Sequence, residues 1–215
     1  MNNTAVEDLF IREEPLDNTA CNVKGEKSAA DVATLTTADV ANGDIIKLTT
    51  AGTIGSTAYA AGDFIKATIS SGESPTLSWS KAEASDIKGY LESDIRDWKR
   101  WGRDFSKDLA IAAWLNNANA LTAGALTVTL ESSADKSTWT EIASAAGSVA
   151  SVDRCARIAF FLLPRNGIKQ YVRIKVKVTT QFAKSNEAIP ANISVGLEND
   201  ADNDIDLTMA QPKIG

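Results

Sequence analysis

Tyr171–Thr179 reads Tyr-Val-Arg-Ile-Lys-Val-Lys-Val-Thr, with Val172, Ile174, Val176 and Val178 at one parity and Arg173, Lys175 and Lys177 at the other. Side chains alternate across a strand, so this spacing predicts a half-buried antiparallel strand with one apolar and one cationic face. Burying the four β-branched side chains contributes roughly 1.5–3 kcal/mol each, an upper figure because the unfolded chain already hides some surface. The cationic face is left for solvent, a neighbour or a partner.

The same two-residue period organises the chain from Asp108 onward. Leu109, Ile111, Ala113 and Leu115 share a parity and stop at Asn116-Asn117, and Leu126, Val128 and Leu130 alternate with Thr127 and Thr129. The turn cluster Ser132–Thr138 leads into Trp139–Ile142 as a hairpin partner. Arg157–Leu163 is a continuous apolar run closed by Pro164, which predicts a strand covered on both faces. Arg165-Asn166-Gly167 turns into the strand at Tyr171, and Ile193, Val195 and Leu197 form a last strand after Pro190. Strands at this spacing, nearly without helix, predict an all-β antiparallel sandwich over residues 91–215, which the resemblance given below makes jelly-roll-like.

Upstream the pattern weakens. Residues 28–90 are rich in Ala, Thr, Gly and Ser, with short apolar pulses at Asp44–Thr49, Asp63–Ile69 and Thr76–Trp79, and predict a small β-rich module. The word Gly43-Asp44-Ile45-Ile46-Lys47 returns once as Gly62-Asp63-Phe64-Ile65-Lys66. Residues 1–27 read either as a disordered tail or as an extended N-terminal arm whose Val6, Leu9, Phe10 and Ile11 dock on a neighbour. The arm, the module and the sandwich with its acidic tail are the three expected parts.

Composition narrows the chemistry. The 215 residues include no histidine, which removes Ser-His-Asp and Cys-His catalysis and every histidine metal ligand. With 22 Lys plus Arg against 28 Asp plus Glu, the formal charge of -6 argues against coating nucleic acid. Cys21 and Cys155 lack metal or redox spacing and are expected as free thiols. No secretory leader and no membrane-spanning apolar run is read in the chain, so a soluble protein made in a cytosol is expected. No cofactor or small-molecule substrate is expected either.

Two charged stretches stand out. Asp94–Phe105 interleaves Arg96, Lys99, Arg100 and Arg103 with Trp98, Trp101 and Phe105, a pattern able to grip single-stranded nucleic acid. Asp94, Asp97 and Asp104 nearly cancel its charge, so rings packed on a core and cations paired locally are the expectation. Glu198, Asp200, Asp202, Asp204 and Asp206 alternate. Three of them copy the start of a calcium loop, but Ile205 stands where Gly is needed and the closing Glu is missing. A solvated acidic tail without a metal is expected.

The order Leu126-Thr-Val-Thr-Leu-Glu-Ser-Ser-Ala-Asp, Phe160-Phe-Leu-Leu-Pro-Arg-Asn-Gly-Ile-Lys-Gln-Tyr-Val-Arg-Ile, then Ile193-Ser-Val-Gly-Leu-Glu resembles the jelly-roll capsid cement proteins of tailed bacteriophages. Asp97-Trp-Lys-Arg-Trp-Gly-Arg-Asp-Phe is similar to that family's entry into its first strand. The resemblance covers about half the chain, residues 94–200. It implies a non-enzymatic decoration protein, usually a homotrimer, that binds the exterior of an icosahedral capsid and clamps major capsid protein subunits.

On this reading Phe10, Ile11, Trp98, Arg100, Trp101, Arg103, Arg165, Arg173, Lys175 and Lys177 are the candidate contact residues. The three strand cations are expected to meet carboxylates of Glu198–Asp206 or of a neighbouring subunit. The alternative is a carbohydrate-binding sandwich of a phage fibre or surface protein, with Trp79, Trp114 and Trp139 as stacking rings.

Overall fold

The computed structural model describes residues 9–98, 109–152, 156–164, 166–185 and 187–199. The chain divides into two compact units, Met1–Ala20 with Leu91–Gly215 and, between them in sequence, Cys21–Tyr90. In chain order, β1 (Leu9–Leu16) opens the first unit. The second unit then follows as β2 (Val23–Lys27), α1 (Ala29–Ala33), β3 (Ile45–Leu48), β4 (Gly52–Ile54), β5 (Thr57–Tyr59), β6 (Phe64–Ile69) and β7 (Leu77–Lys81). After it come β8 (Tyr90–Glu92), β9 (Arg96–Asp97), β10 (Leu109–Leu115), β11 (Ala123–Ser133) and β12 (Thr140–Ser148). The last elements among the described residues are β13 (Arg157–Leu162), β14 (Tyr171–Lys184), β15 (Glu187–Ala188) and β16 (Ala191–Asn199). Among the described residues the protein is nearly all β, with α1 and short 3-10 turns besides, as the two-residue period predicts.

The first unit is a sandwich of two antiparallel sheets. One runs β1-β16-β10-β13, and the other runs β12-β11-β14-β15 with β8 and β9 also on β14. The pairings are nested: β1 lies on β16, β8 and β9 on β14, β10 on β13, and β11 on β12. Such nesting is what one long hairpin makes when it folds over on itself, and it lets each sheet bury one face against the other.

Ile111, Ala113 and Leu115 of β10 and Ile193, Val195 and Leu197 of β16 face Leu126, Val128 and Leu130 of β11 and Val172, Ile174, Val176 and Val178 of β14 across this core. The apolar parity of Tyr171–Thr179 is therefore the inner face of a strand that continues to Lys184 and adds Phe182.

Two expectations are corrected here. Leu9–Leu16 is no free arm, because Phe10, Ile11 and Leu16 are buried in the sandwich core, while Val23–Lys27 joins the second unit. A short apolar segment lowers its free energy by burial wherever a sheet edge offers it a partner, and β16 offers one here.

Arg157–Leu162 is not covered on both faces: it is the outer strand of its sheet, with Phe160 and Phe161 half-buried and Leu162 54% exposed. The strand buried at every position is β10, which lies between β16 and β13. Its alternate parity consists of Ala110, Ala112 and Trp114, small or aromatic side chains that hide the strand's central place in the sequence.

The second unit places α1 and the β4-β5 hairpin over a sheet ordered β2-β3-β6-β7, in which β2 and β3 are parallel. Ala29, Val32, Ile46, Leu48, Ile54, Tyr59 and Ile65 form its core. The repeated word has a structural meaning. β3 and β6 pair antiparallel through Ile46 and Ile65, so the two copies are related by a local two-fold. In each copy the glycine takes a positive φ, 87° at Gly43 and 90° at Gly62. The following aspartate then folds back in each: Asp44 accepts from the Ala41 amide at 2.9 Å and Asp63 from the Ala60 amide at 2.9 Å. Each also meets a lysine of the neighbouring strand, Lys24 at 3.5 Å and Lys81 at 2.7 Å.

β12 passes close to β13 at the seam between the two sheets. A Cβ on Gly147 would lie 1.8 Å from the Ile158 carbonyl oxygen, so only glycine lets the backbones approach. Gly147→Ala is expected to destabilise the sandwich by at least about 2 kcal/mol in a urea unfolding series, within the range for overpacked sites.

Candidate interaction face

The solvent-side parity of β14 meets that of β11 in register, with Arg173 opposite Glu131, Lys175 opposite Thr129 and Lys177 opposite Thr127. Glu131 ends the Thr127, Thr129 alternation and so points to the same face. β8 brings Glu92 to the other side of Arg173.

The guanidinium of Arg173 bridges the two carboxylates. Its Nε and Nη2 reach Glu131 Oε2 at 2.8 and 2.7 Å, and its Nη1 reaches Glu92 Oε1 at 2.9 Å. Lys175 Nζ donates to the same Glu131 carboxylate, 3.0 Å from Oε1 and 2.9 Å from Oε2. The indole of Trp139 stacks on the guanidinium at 4.0 Å, and its Nε1 donates to the Lys136 carbonyl at 3.2 Å.

Two cations and two anions thus neutralise each other under an aromatic lid, with the Arg173 side chain only 3% exposed. Water is largely excluded, so charge-assisted bonds here are stronger than at an open surface, and an unmatched charge costs far more. The cluster ties β8, β11 and β14 together from outside the core.

Among the described residues, the carboxylates that Arg173 and Lys175 meet are those of their own sheet, Glu131 and Glu92; the acidic run from Asp200 onward, where partners were expected, lies outside the described residues. Lys177 is half-buried and makes no hydrogen bond or ion pair among the described residues. Of the three, it alone keeps a charge for an outside partner.

The remaining candidates separate in the same way. Phe10, Ile11 and Trp98 are buried in the sandwich core, as the aromatic junction requires for Trp98. Nearby, Arg96 Nη2 donates to the Leu9 carbonyl at 3.1 Å and Asp97 Oδ2 accepts from Gln170 Nε2 at 3.2 Å. Arg100, Trp101, Arg103 and Arg165 lie outside the described residues, as do Cys155 and the carboxylates from Asp200 to Asp206. The Cys21 thiol donates to the Val23 carbonyl at 3.6 Å. Among the described residues no three Cys, Asp or Glu side chains are placed to hold a metal ion. The three candidate stacking rings are engaged: Trp139 on Arg173, Trp114 buried on β10, and Trp79 packed against the core of the second unit.

Glu92, Glu131 and Trp139 were not foreseeable as one cluster. Glu131 has the correct parity in sequence, but its partner depends on the β11-β14 register, and Glu92 arrives from a three-residue strand without a pattern of its own.

Beside this face, the loop joining β11 to β12 is closed by Asp135. Its carboxylate accepts from the amides of Thr138 at 2.8 Å and Ser137 at 2.9 Å and from the Ser133 hydroxyl at 2.9 Å. These bonds, the two amides foremost, hold its pKa well below the usual carboxylate range. Above the loop, Lys136 lies over the Tyr171 ring at 4.5 Å.

Compared with known proteins, the chain matches no family model, no curated protein and no solved structure.

Two outcomes follow from this geometry. Glu131→Ala strips Arg173 and Lys175 of their shared carboxylate and is expected to cost about 3–5 kcal/mol in urea unfolding, the usual range for breaking a buried pair. For Asp135, a depressed folded pKa means stabilisation that is present above the unfolded value and lost as pH falls through the folded one. The stability gap between the native chain and Asp135→Ala, measured by thermal unfolding, should therefore be constant near neutrality and narrow below about pH 4.

Proposed function

We propose that the chain is a structural, non-catalytic subunit: a capsid decoration protein whose sandwich is a jelly roll and which binds the exterior of an icosahedral phage shell. The observation that carries this reading is the nested strand pairing of the first unit. Pairing of first strand with last, and so inward, is what a jelly roll requires, and the second unit sits in sequence between the first and second strands of that roll.

The family-like words fall at consistent places on it. Leu126–Asp135 covers most of β11 and its loop, Phe160–Ile174 covers the turn from β13 into β14, and Ile193–Glu198 lies on β16. A rigid sheet scaffold suits a protein that gains affinity from many weak contacts repeated over a symmetric shell. Its partners on this reading are the major capsid protein and further copies of itself, as a homotrimer, and its location is the virion exterior after synthesis in the host cytoplasm.

The face that stays available for such contacts is the solvent side of β14 beyond the neutralised cluster, from Lys177 through the exposed Thr179 and Gln181. Cosedimentation of the purified protein with assembled shells should show saturable binding, and Lys177→Glu should weaken it about five- to tenfold, the size of a desolvated charge contact reversed at many sites. Absence of binding to any assembled phage shell, or binding to glycans on an array, would overturn the reading.

A further inference from the structure

The chain carries the dipeptide Asn-Gly twice, at Asn42-Gly43 and at Asn166-Gly167. We propose that Asn166 is a site of spontaneous deamidation in the folded protein, and that the fold protects Asn42 from the same reaction. A glycine that follows asparagine has no side chain to shield its amide nitrogen, which can therefore reach Cγ of the preceding side chain. That nitrogen gives up its proton to solvent and bonds to Cγ; the Cγ–Nδ2 bond breaks, the departing nitrogen takes up a proton and leaves as ammonia, and a succinimide ring is closed. Water then opens the ring. Opening at Cγ gives aspartate, and opening at the backbone carbonyl gives isoaspartate, in which the peptide link runs through the side chain.

Ring closure needs a side chain that turns toward the next amide and an amide that no acceptor holds. Neither condition is met at the first dipeptide. Asn42 Oδ1 accepts from the Ile69 amide at 3.0 Å, and the Gly43 amide donates to the Ala67 carbonyl at 2.9 Å. Asn22 Nδ2 also donates to the Gly43 carbonyl at 3.4 Å. Both reacting groups are thus stitched to β6, and the ring closes only after those two bonds have opened.

Both conditions are met at the second dipeptide. Asn166 and Gly167 are exposed in the irregular connection from β13 to β14, and neither the Asn166 side chain nor the Gly167 amide makes a hydrogen bond among the described residues. Gly167 has a φ of 97°, and no heavy atom beyond its chain neighbours lies within 4 Å of where a Cβ would stand. The connection is held at its ends instead, by the Leu163 amide on the Leu109 carbonyl at 2.7 Å and the Trp98 amide on the Gln170 carbonyl at 2.7 Å. Conversion places a new negative charge in a turn shared with Lys169, whose Nζ donates to Thr140 Oγ1 at 3.1 Å. Molecules of two charges therefore accumulate as the protein ages.

Hydroxylamine cleaves a chain at a succinimide and so reads the intermediate directly. The folded full chain, treated at mildly alkaline pH and at a concentration that leaves its circular dichroism unchanged, is expected to give two fragments, 1–166 and 167–215. The chain unfolded in urea is expected to be cut after Asn42 as well. Peptide mass mapping of folded protein aged in the same buffer should show conversion at Asn166 roughly tenfold or more faster than at Asn42, where two hydrogen bonds must open first. In urea the two rates should converge. Asn166→Gln should abolish the cut in the folded chain. Cleavage of the folded chain after Asn42 as fast as after Asn166 overturns the proposal, and so does a folded chain that stays intact at Asn166 while the unfolded chain is cut there. No shell enters these readouts, so their failure leaves the capsid reading untouched, and failure of shell binding leaves this one untouched.

Discussion

The fold depends on the stretch of β14 from Val172 to Val176, where both faces of the strand are engaged. Its inner parity supplies Val172, Ile174, Val176, Val178 and Phe182 to the sandwich core, while its outer parity supplies Arg173 and Lys175 to a cluster sealed by Trp139. Few strands of a sandwich are held on both sides in this manner, since the outer face of an antiparallel sheet is usually left to water. Here the outer contacts add a second constraint on register. A slip of one residue would expose the apolar side chains and also part Arg173 from Glu131.

That double anchorage organises the neighbours. β11 pairs with β14 along almost its whole length, and β12 follows β11. β8 is too short to hold its position by pairing alone, and the ion pair from Glu92 to Arg173 supplements it. The Ser93 hydroxyl, which accepts from the Ile174 amide at 2.9 Å, fastens the same point. Neutralising charges within the cluster makes this part of the surface a structural element.

The second unit reaches order by a different device. Its two aspartate turns repeat the same local chemistry at both ends of the β3-β6 pair, so a short word used twice sets the pair's register. Its core is small, and side-chain caps of this kind, together with the Ser28 capping box on α1, supply definition that apolar burial alone does not.

Alternation along Leu109–Leu115, Leu126–Leu130, Tyr171–Thr179 and Ile193–Leu197 was sufficient to place the sandwich strands and their inner faces, because a two-residue period reports directly on which side of a sheet is dry. The repeated Gly-Asp word was visible too, though not its two-fold relation. Three things were decided only in three dimensions. Leu9–Leu16 is a core strand because β16 has an edge to receive it, and Arg157–Leu162 is an outer strand because β10 occupies the interior position. Arg173 and Lys175 are internal because β11 and β8 bring Glu131 and Glu92 to them from 42 and 81 residues away in sequence. Periodicity states which face a side chain is on, but what meets that face depends on which strands become neighbours. That is a property of the nested pairing of the whole chain, and no local stretch carries it.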